Sequence, residues 1–94
     1  HSHVPMVAMH RPGQRPRLDL LHNLLLPRRQ VVSIGVGAVG QPRDGDPRAC
    51  VVLYDPEVRS VRVIRVAYDV AGAQRRIREA GLPEDLAERL SQGH

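Results

Sequence analysis

Proline spacing is the feature that most restricts the folds open to this 94-residue chain. Seven of its eight prolines lie at or before position 56. Proline ends helices, and strands tolerate it only at their starts, edges or bulges. Short strands and loops are therefore predicted for the first two thirds of the chain, and helices for the remainder.

Apolar segments between these breaks have the composition of strands. Val31–Val36 is β-branched and predicts a buried strand, and Ala49–Tyr54 predicts a second one. Ser60–Val66 alternates valine with arginine and predicts a half-exposed strand that forms a hairpin with it. The first ten residues predict a loop that leads into a short strand at Pro5. Leu18–Leu26 is ambiguous between strand and helix.

Two short helices are predicted to follow the strands. Asp69 is a suitable N-cap for a helix over Val70–Ala80, and Gly81 suits its C′ position. Pro83 fits the first position of a second helix, and the last three residues are expected to fray. The predicted class is α+β, with strands and a hairpin preceding two helices.

Composition limits the stability and the location of this protein. Aliphatic residues must form the core, because the chain has no Phe, no Trp and only two Tyr. A chain of this length buries only about 60 % of its unfolded surface. The single cysteine, Cys50, excludes an internal disulfide and suits the cytoplasm. The longest apolar run, Val31–Gly40, is too short to span a bilayer, and no signal peptide is visible.

All fourteen basic side chains are arginines, and the net charge is +4. A net positive charge permits nucleic-acid binding. However, the arginines are scattered and few aromatic residues are present to stack on bases. We therefore do not expect a nucleic-acid partner, and the excess of arginine over lysine is explained by a GC-rich coding sequence.

The segment Gly35–Gly40 matches the glycine pattern of dinucleotide-binding turns. That pattern requires a helix to begin in the glycine turn. Here two prolines and a glycine follow within seven residues, at Pro42, Gly45 and Pro47. We interpret the glycines as a strand end that needs close backbone packing.

His1 and His3 form the candidate metal site. In an extended segment their side chains would point the same way and lie about 7 Å apart. Imidazoles placed in this way suit two neighbouring divalent ions. The spacing alone is a weak signal, and no nearby residue completes a site. His10 and His22 are interpreted as surface histidines.

Taken together, three stretches resemble the C-terminal part of bacterial calcineurin-like metallophosphoesterases, most closely the diadenosine tetraphosphatase-like branch. His1-Ser-His-Val-Pro5 resembles the final family motif, G-H-S/T-H-x-P. Gly37-Ala-Val-Gly-Gln-Pro-Arg-Asp-Gly-Asp-Pro-Arg-Ala49 resembles the G-S-V-G-Q-P-R-D-G-D-P-R-A stretch that follows it. The string Arg65-Val-Ala-Tyr-Asp69 and the later G-L-P and L-A-E-R-L strings resemble the closing pieces.

The resemblance implies a β-sandwich flanked by helices and a hydrolase that cleaves a phosphate ester or a nucleotide-type anhydride. Family members hold two divalent metals (Mn, Fe, Zn or Ni) that activate a water. The resemblance implies His1 as a ligand of one metal and His3 as a ligand of the other. Arg43 is the candidate phosphate-binding residue, although Arg43 and Asp44 are favoured as braces of their loop.

The earlier family motifs, D-x-H, G-D-x-x-D and G-N-H-D/E, are absent from these residues, and the chain begins with His1 rather than Met. Gly35 and Ala38 also stand where the family often has Asn and Ser. We therefore expect a single partial domain over 1–94, with strands and loops to 69 and helices over 70–92, that is inactive in isolation. The alternative is a non-catalytic remnant that oligomerises or binds a partner, such as a complementary N-terminal segment.

Overall fold

The computed structural model describes all 94 residues. Six strands precede two helices, so the predicted α+β class is confirmed. The elements are β1 (Pro5–His10), β2 (Arg17–Leu20), β3 (Leu24–Leu25), β4 (Val31–Val36), β5 (Ala49–Asp55), β6 (Ser60–Val66), α1 (Val70–Glu79) and α2 (Glu84–Gln92).

The strands form two antiparallel sheets of three, in the orders β2-β1-β4 and β3-β6-β5. The predicted β5–β6 hairpin is confirmed, with Val52 opposite Val63. The ambiguous Leu18–Leu26 segment contributes a strand to each sheet. It crosses between them at Leu21, which is buried and donates its N–H to the carbonyl of Pro5 at 3.0 Å.

The core lies between the two sheets. Val7 from the first sheet, Val61 from the second and Leu21 from the crossing are its buried centre. Half-buried aliphatic residues surround them: Met9, Leu24, Leu26, Val32, Ile34, Val52 and Val63. The core is therefore aliphatic, as the composition predicts.

The prediction that β4 is a buried strand is wrong. Only Val32 and Ile34 are partly buried, while the other four residues of the strand are exposed. The reason is that β4 packs with one face on the second sheet, and nothing in these 94 residues covers its other face. The molecule accordingly exposes 6722 Å², against about 5,400 Å² for a compact protein of this mass.

Helix α1 has the predicted caps. The Asp69 carboxylate accepts a hydrogen bond from the N–H of Gly72 at 2.9 Å, and Gly81 follows with φ 71°. Helix α2 begins at Glu84, one residue later than predicted, because Pro83 has an extended ψ of 140° and acts as the N-cap. The helices pack on each other, and the Gln74 amide donates to the carbonyl of Ala87 at 2.8 Å.

The chain end is ordered rather than frayed, which corrects the prediction for the last three residues. Gly93 closes α2 in the left-handed conformation, with φ 64° and ψ 42°. Its carbonyl accepts a hydrogen bond from the N–H of Gly45 at 2.8 Å. The end of α2 is thereby docked on the loop that connects β4 to β5. Neither helix is long and apolar enough to cross a membrane.

Candidate metal centre

The His1–His3 segment lies directly before β1 and outside it. His3 has a left-handed backbone, with φ 61°. The extended geometry assumed in predicting two parallel imidazoles is therefore wrong at His3. A non-glycine residue in this region costs about 1–2 kcal/mol, so neighbouring contacts must hold it.

The His3 imidazole is held by a main-chain carbonyl from a distant part of the sequence. Its Nδ1 lies 3.0 Å from the carbonyl oxygen of Gln41, and the side chain is half-buried. A carbonyl only accepts, so Nδ1 carries the proton and donates it. Nε2 then keeps its lone pair, which is the form that binds a metal. The geometry at His3 therefore fits a metal ligand.

His1 is exposed at the chain start. It has an imidazole suited to a divalent metal, but these residues contain no group of three or more potential ligands close enough to hold an ion. The residues present therefore fit part of a metal site. A divalent ion needs four to six ligands, so these two histidines alone would not complete a site.

The same loop also contacts His3 through Arg43. The Arg43 N–H lies 3.3 Å from the carbonyl of His3, while the Arg43 side chain is exposed. Its guanidinium touches only the amide oxygen of Gln41, at 3.4 Å, and no carboxylate. The expected bracing of the loop is therefore shared: Asp44 supplies the ion pair, with Arg65, and Arg43 contributes a main-chain hydrogen bond but no ion pair.

Acidic residues of the loop are tied to the second sheet. Arg65, on β6, pairs with Asp44, and its Nε lies 3.7 Å from the carboxylate of Asp46. Asp46 also accepts from the Arg48 guanidinium at 2.7 Å and from the Arg48 N–H at 3.0 Å. These hydrogen bonds lower the pKa of Asp46 to about 2. The loop is therefore held in one place by charge-assisted contacts.

The glycine segment before this loop turns without starting a helix, so the dinucleotide reading is excluded. Gly37 has φ 77°, and an added Cβ would lie 3.1 Å from Cys50 and 3.3 Å from Pro5. Cys50 is buried and donates its N–H to the carbonyl of Ala38 at 2.9 Å. This close packing places the start of the loop beside the strand that follows His3.

Gln41 also lines a cavity of about 520 Å³. Helix α1 supplies half of its lining residues, including Arg75 and Arg76. Tyr68 also lines it, and the Tyr68 hydroxyl is buried without a hydrogen-bond partner. Asp69, which precedes α1, is a helix cap as predicted and lies at the edge of this cavity.

Sequence reasoning nominated His1, His3 and Arg43 as site residues but did not reveal which groups contact them in the fold. The partner of His3 is the main-chain carbonyl of Gln41, 38 residues away. The anchor of the loop is Arg65, a further 24 residues along the chain. A main-chain carbonyl has no sequence signal, and an arginine on an alternating strand is expected to face solvent.

Comparison with known proteins agrees with this fold. A metallophosphoesterase from Sphaerobacter thermophilus matches all of this chain with a TM-score of 0.79 and 39 % identity, over 40 % of its own chain. An uncharacterized protein of Methanocaldococcus jannaschii is 37 % identical over 95 residues, which are 99 % of this chain and 37 % of that protein. No family model matches the chain.

The chain therefore has the fold of one part of a metallophosphoesterase. It spans about two fifths of the length of the two relatives it matches.

Proposed function

We propose that this chain supplies two metal ligands and a phosphate-binding arginine to a metallophosphoesterase, a phosphoric ester hydrolase. The observation that carries the proposal is the His3 imidazole, which the Gln41 carbonyl holds with Nε2 free. The likeness to the Sphaerobacter thermophilus metallophosphoesterase supports the reaction class. The substrate is a phosphate ester or a nucleotide-type anhydride.

In this proposal, His3 binds one divalent ion through Nε2 and His1 binds the other. The chemistry that a pair of divalent ions supplies is activation of a water for in-line attack on phosphorus. The Gln41 carbonyl keeps the His3 proton on Nδ1 and the ring in one orientation. The exposed Arg43 guanidinium has no carboxylate partner and donates to two phosphate oxygens, for which its planar fork is suited.

The test compares His3→Gln with His10→Gln in the intact protein. His10 is an exposed histidine at the end of β1, so its replacement controls for loss of an imidazole. We expect His3→Gln to weaken Mn²⁺ binding more than tenfold and to abolish hydrolysis of an aryl phosphate. His10→Gln leaves both unchanged. Equal Mn²⁺ affinity in the two variants would contradict the proposal.

The isolated 94-residue chain is proposed to be inactive, because His1 and His3 cannot alone supply the ligands for two metals. Incubation of the chain with Mn²⁺ and an aryl phosphate tests this. Turnover above that of a His1→Ala, His3→Ala chain would show that the residues present are sufficient.

A second candidate function is binding to another protein surface without catalysis. The outer face of the first sheet favours it, since Leu18, Leu20 and Val31 lie there and are 59 %, 68 % and 67 % exposed. Several exposed apolar residues on one face are a feature of interaction sites. A monodisperse oligomer whose melting temperature does not respond to Mn²⁺ would favour this function over hydrolysis.

A further inference from the structure

We propose that Arg65 is a positioning residue for His3, acting through the loop that runs from Gln41 to Arg48. The link to metal binding rests on the proposed function. The link to the orientation of the His3 imidazole does not. No part of this arrangement follows from the His-x-His spacing or from the glycine pattern.

Arg65 makes the least exposed ion pairs of the chain. Its side chain is 15 % exposed, whereas the other paired arginines are 47 % to 80 % exposed. It contacts Asp44, Asp46 and, at 3.4 Å, the carbonyl of Arg48. Exposed pairs contribute little because solvent screens them. This partly buried cluster is therefore the main electrostatic anchor of the loop on β6.

The anchored end of the loop is continuous with the part that holds His3. Asp44 directly follows Arg43, whose N–H contacts the His3 carbonyl. Gln41, two residues earlier, accepts from the His3 imidazole. Pro42 between them is fully buried and has little freedom to move. The place of the Asp44 carboxylate therefore determines where the Gln41 carbonyl lies.

His3 needs this support because its own backbone is unfavourable. With φ 61°, the residue relaxes toward the common region unless contacts oppose it. Only the loop supplies those contacts, one to the ring and one to the main chain. Loss of the Arg65 anchor is expected to free the ring, so that both neutral tautomers become populated.

The test replaces Arg65 by Ala and by Lys in the intact protein, with Arg62→Ala as the matched control. Arg62 lies on the same strand, is exposed and makes no ion pair. The first readout is the His3 tautomer in metal-free protein, from imidazole ¹⁵N chemical shifts. The second is the affinity for Mn²⁺, measured well below the melting temperature of every variant.

We expect wild-type protein and Arg62→Ala to show a single His3 tautomer with the proton on Nδ1. Arg65→Ala is expected to show a mixture and about tenfold weaker Mn²⁺ binding, the size of effect typical of a lost outer contact. Arg65→Lys keeps the positive charge and is expected to recover part of the single-tautomer state and part of the Mn²⁺ affinity. An unchanged His3 tautomer in folded Arg65→Ala would overturn the proposal and leave Arg65 a purely structural role.

If Arg65→Ala does not fold, Asp44→Asn is used instead, because it removes the Arg65–Asp44 ion pair with little change of shape. The His3 tautomer and the Mn²⁺ affinity are measured in the same way. A mixed tautomer in that variant supports the proposal, and a single one overturns it. Failure of the proposed function is separately visible. In that case wild-type protein does not bind Mn²⁺, while the tautomer of His3 still depends on Arg65.

Discussion

At the scale of single residues, the candidate site consists of side chains that are held by one hydrogen bond and keep another polar group available for a ligand. His3 uses Nδ1 to bind a carbonyl and keeps Nε2. Arg43 is exposed next to it, and its only side-chain hydrogen bond is with Gln41. Asp44, by contrast, is fully engaged with Arg65. Adjacent charged residues of one loop therefore have separate roles, which the string Q-P-R-D-G-D-P does not reveal.

Arg43 is expected to act on substrate binding. Replacing it by Ala should raise KM for an aryl phosphate about tenfold or more, since a charge-assisted bidentate contact is lost. Arg43→Lys should recover only part, because an ammonium group cannot form the paired contact. Steady-state kinetics of the intact protein measure both. An Arg43→Ala enzyme with unchanged KM and kcat would remove Arg43 from the site.

Asp46 gives the loop a dependence on pH. Its pKa falls to about 2 because Arg48 donates hydrogen bonds to its carboxylate, against about 3.9 in an unfolded chain. A carboxyl group whose pKa is lowered on folding stabilises the folded state at pH values above its pKa in the unfolded chain. This stabilisation is lost as the pH falls through its pKa in the folded protein. The urea midpoints of wild type and Asp46→Asn should therefore differ at pH 6 and converge between pH 4 and 2. A difference that persists at pH 2 would assign the effect of the substitution to another cause.

At the scale of elements, the end of α2 and the β4–β5 loop are one packed unit. Gly93 permits this, since its left-handed φ is combined with close approach to the backbone of Asp46. The Gly45 N–H binds the Gly93 carbonyl on the same side. The last residues of the chain thus support the loop that holds His3, although Gly93 and His3 lie near opposite ends of the sequence.

Gly93→Ala should therefore destabilise the protein more than Gly13→Ala does. Both glycines have a positive φ, of 64° and 76°. An added Cβ at Gly93 would lie 2.6 Å from the Asp46 nitrogen, whereas at Gly13 it meets nothing within 4 Å. We expect a loss of about 1 kcal/mol for Gly13→Ala from the backbone alone, and about 1–2 kcal/mol more for Gly93→Ala. Urea denaturation measures both, and equal losses would show that the docking of Gly93 is not tight.

At the scale of the whole molecule, the chain is elongated, with extents of 51 × 27 × 17 Å. Its radius of gyration is 16.2 Å, whereas a compact domain of this length has about 12 Å. Only 11 of 94 residues are buried, and the outer face of the first sheet carries three exposed aliphatic side chains. A molecule of this shape exposes apolar surface that another polypeptide surface is expected to cover.

Leu20→Lys tests this face in the 94-residue chain. Leu20 lies opposite Met6 on the edge strand β2, so a charge there should oppose any contact made by the sheet face or its edge. Leu82→Lys is the control, because Leu82 is also exposed but lies between the two helices. Sedimentation velocity should show less association for Leu20→Lys than for wild type or Leu82→Lys. Equal association in all three would place the contact elsewhere.

The sequence by itself determined the local structure of this protein. Proline and glycine set the ends of β1, β4 and α1, alternation of valine and arginine defined β6, and Asp69 capped α1. These features depend on neighbours within a few residues, so their physical causes are visible in sequence. The resemblance that runs from His1-Ser-His3 to the closing helices likewise indicated the metallophosphoesterase fold, with which the structural match agrees.

The tertiary structure decided which groups meet. It split the leucine-rich segment between two sheets, left one face of β4 exposed and ordered the chain end against Gly45. It also placed the Gln41 carbonyl on His3 and Arg65 on Asp44. The physical reason is that the contacts of Gly45 with Gly93, of Gln41 with His3 and of Asp44 with Arg65 join positions 21 to 48 residues apart. Their partners are main-chain groups or surface-type charges, whose role depends only on what lies opposite them in the folded chain.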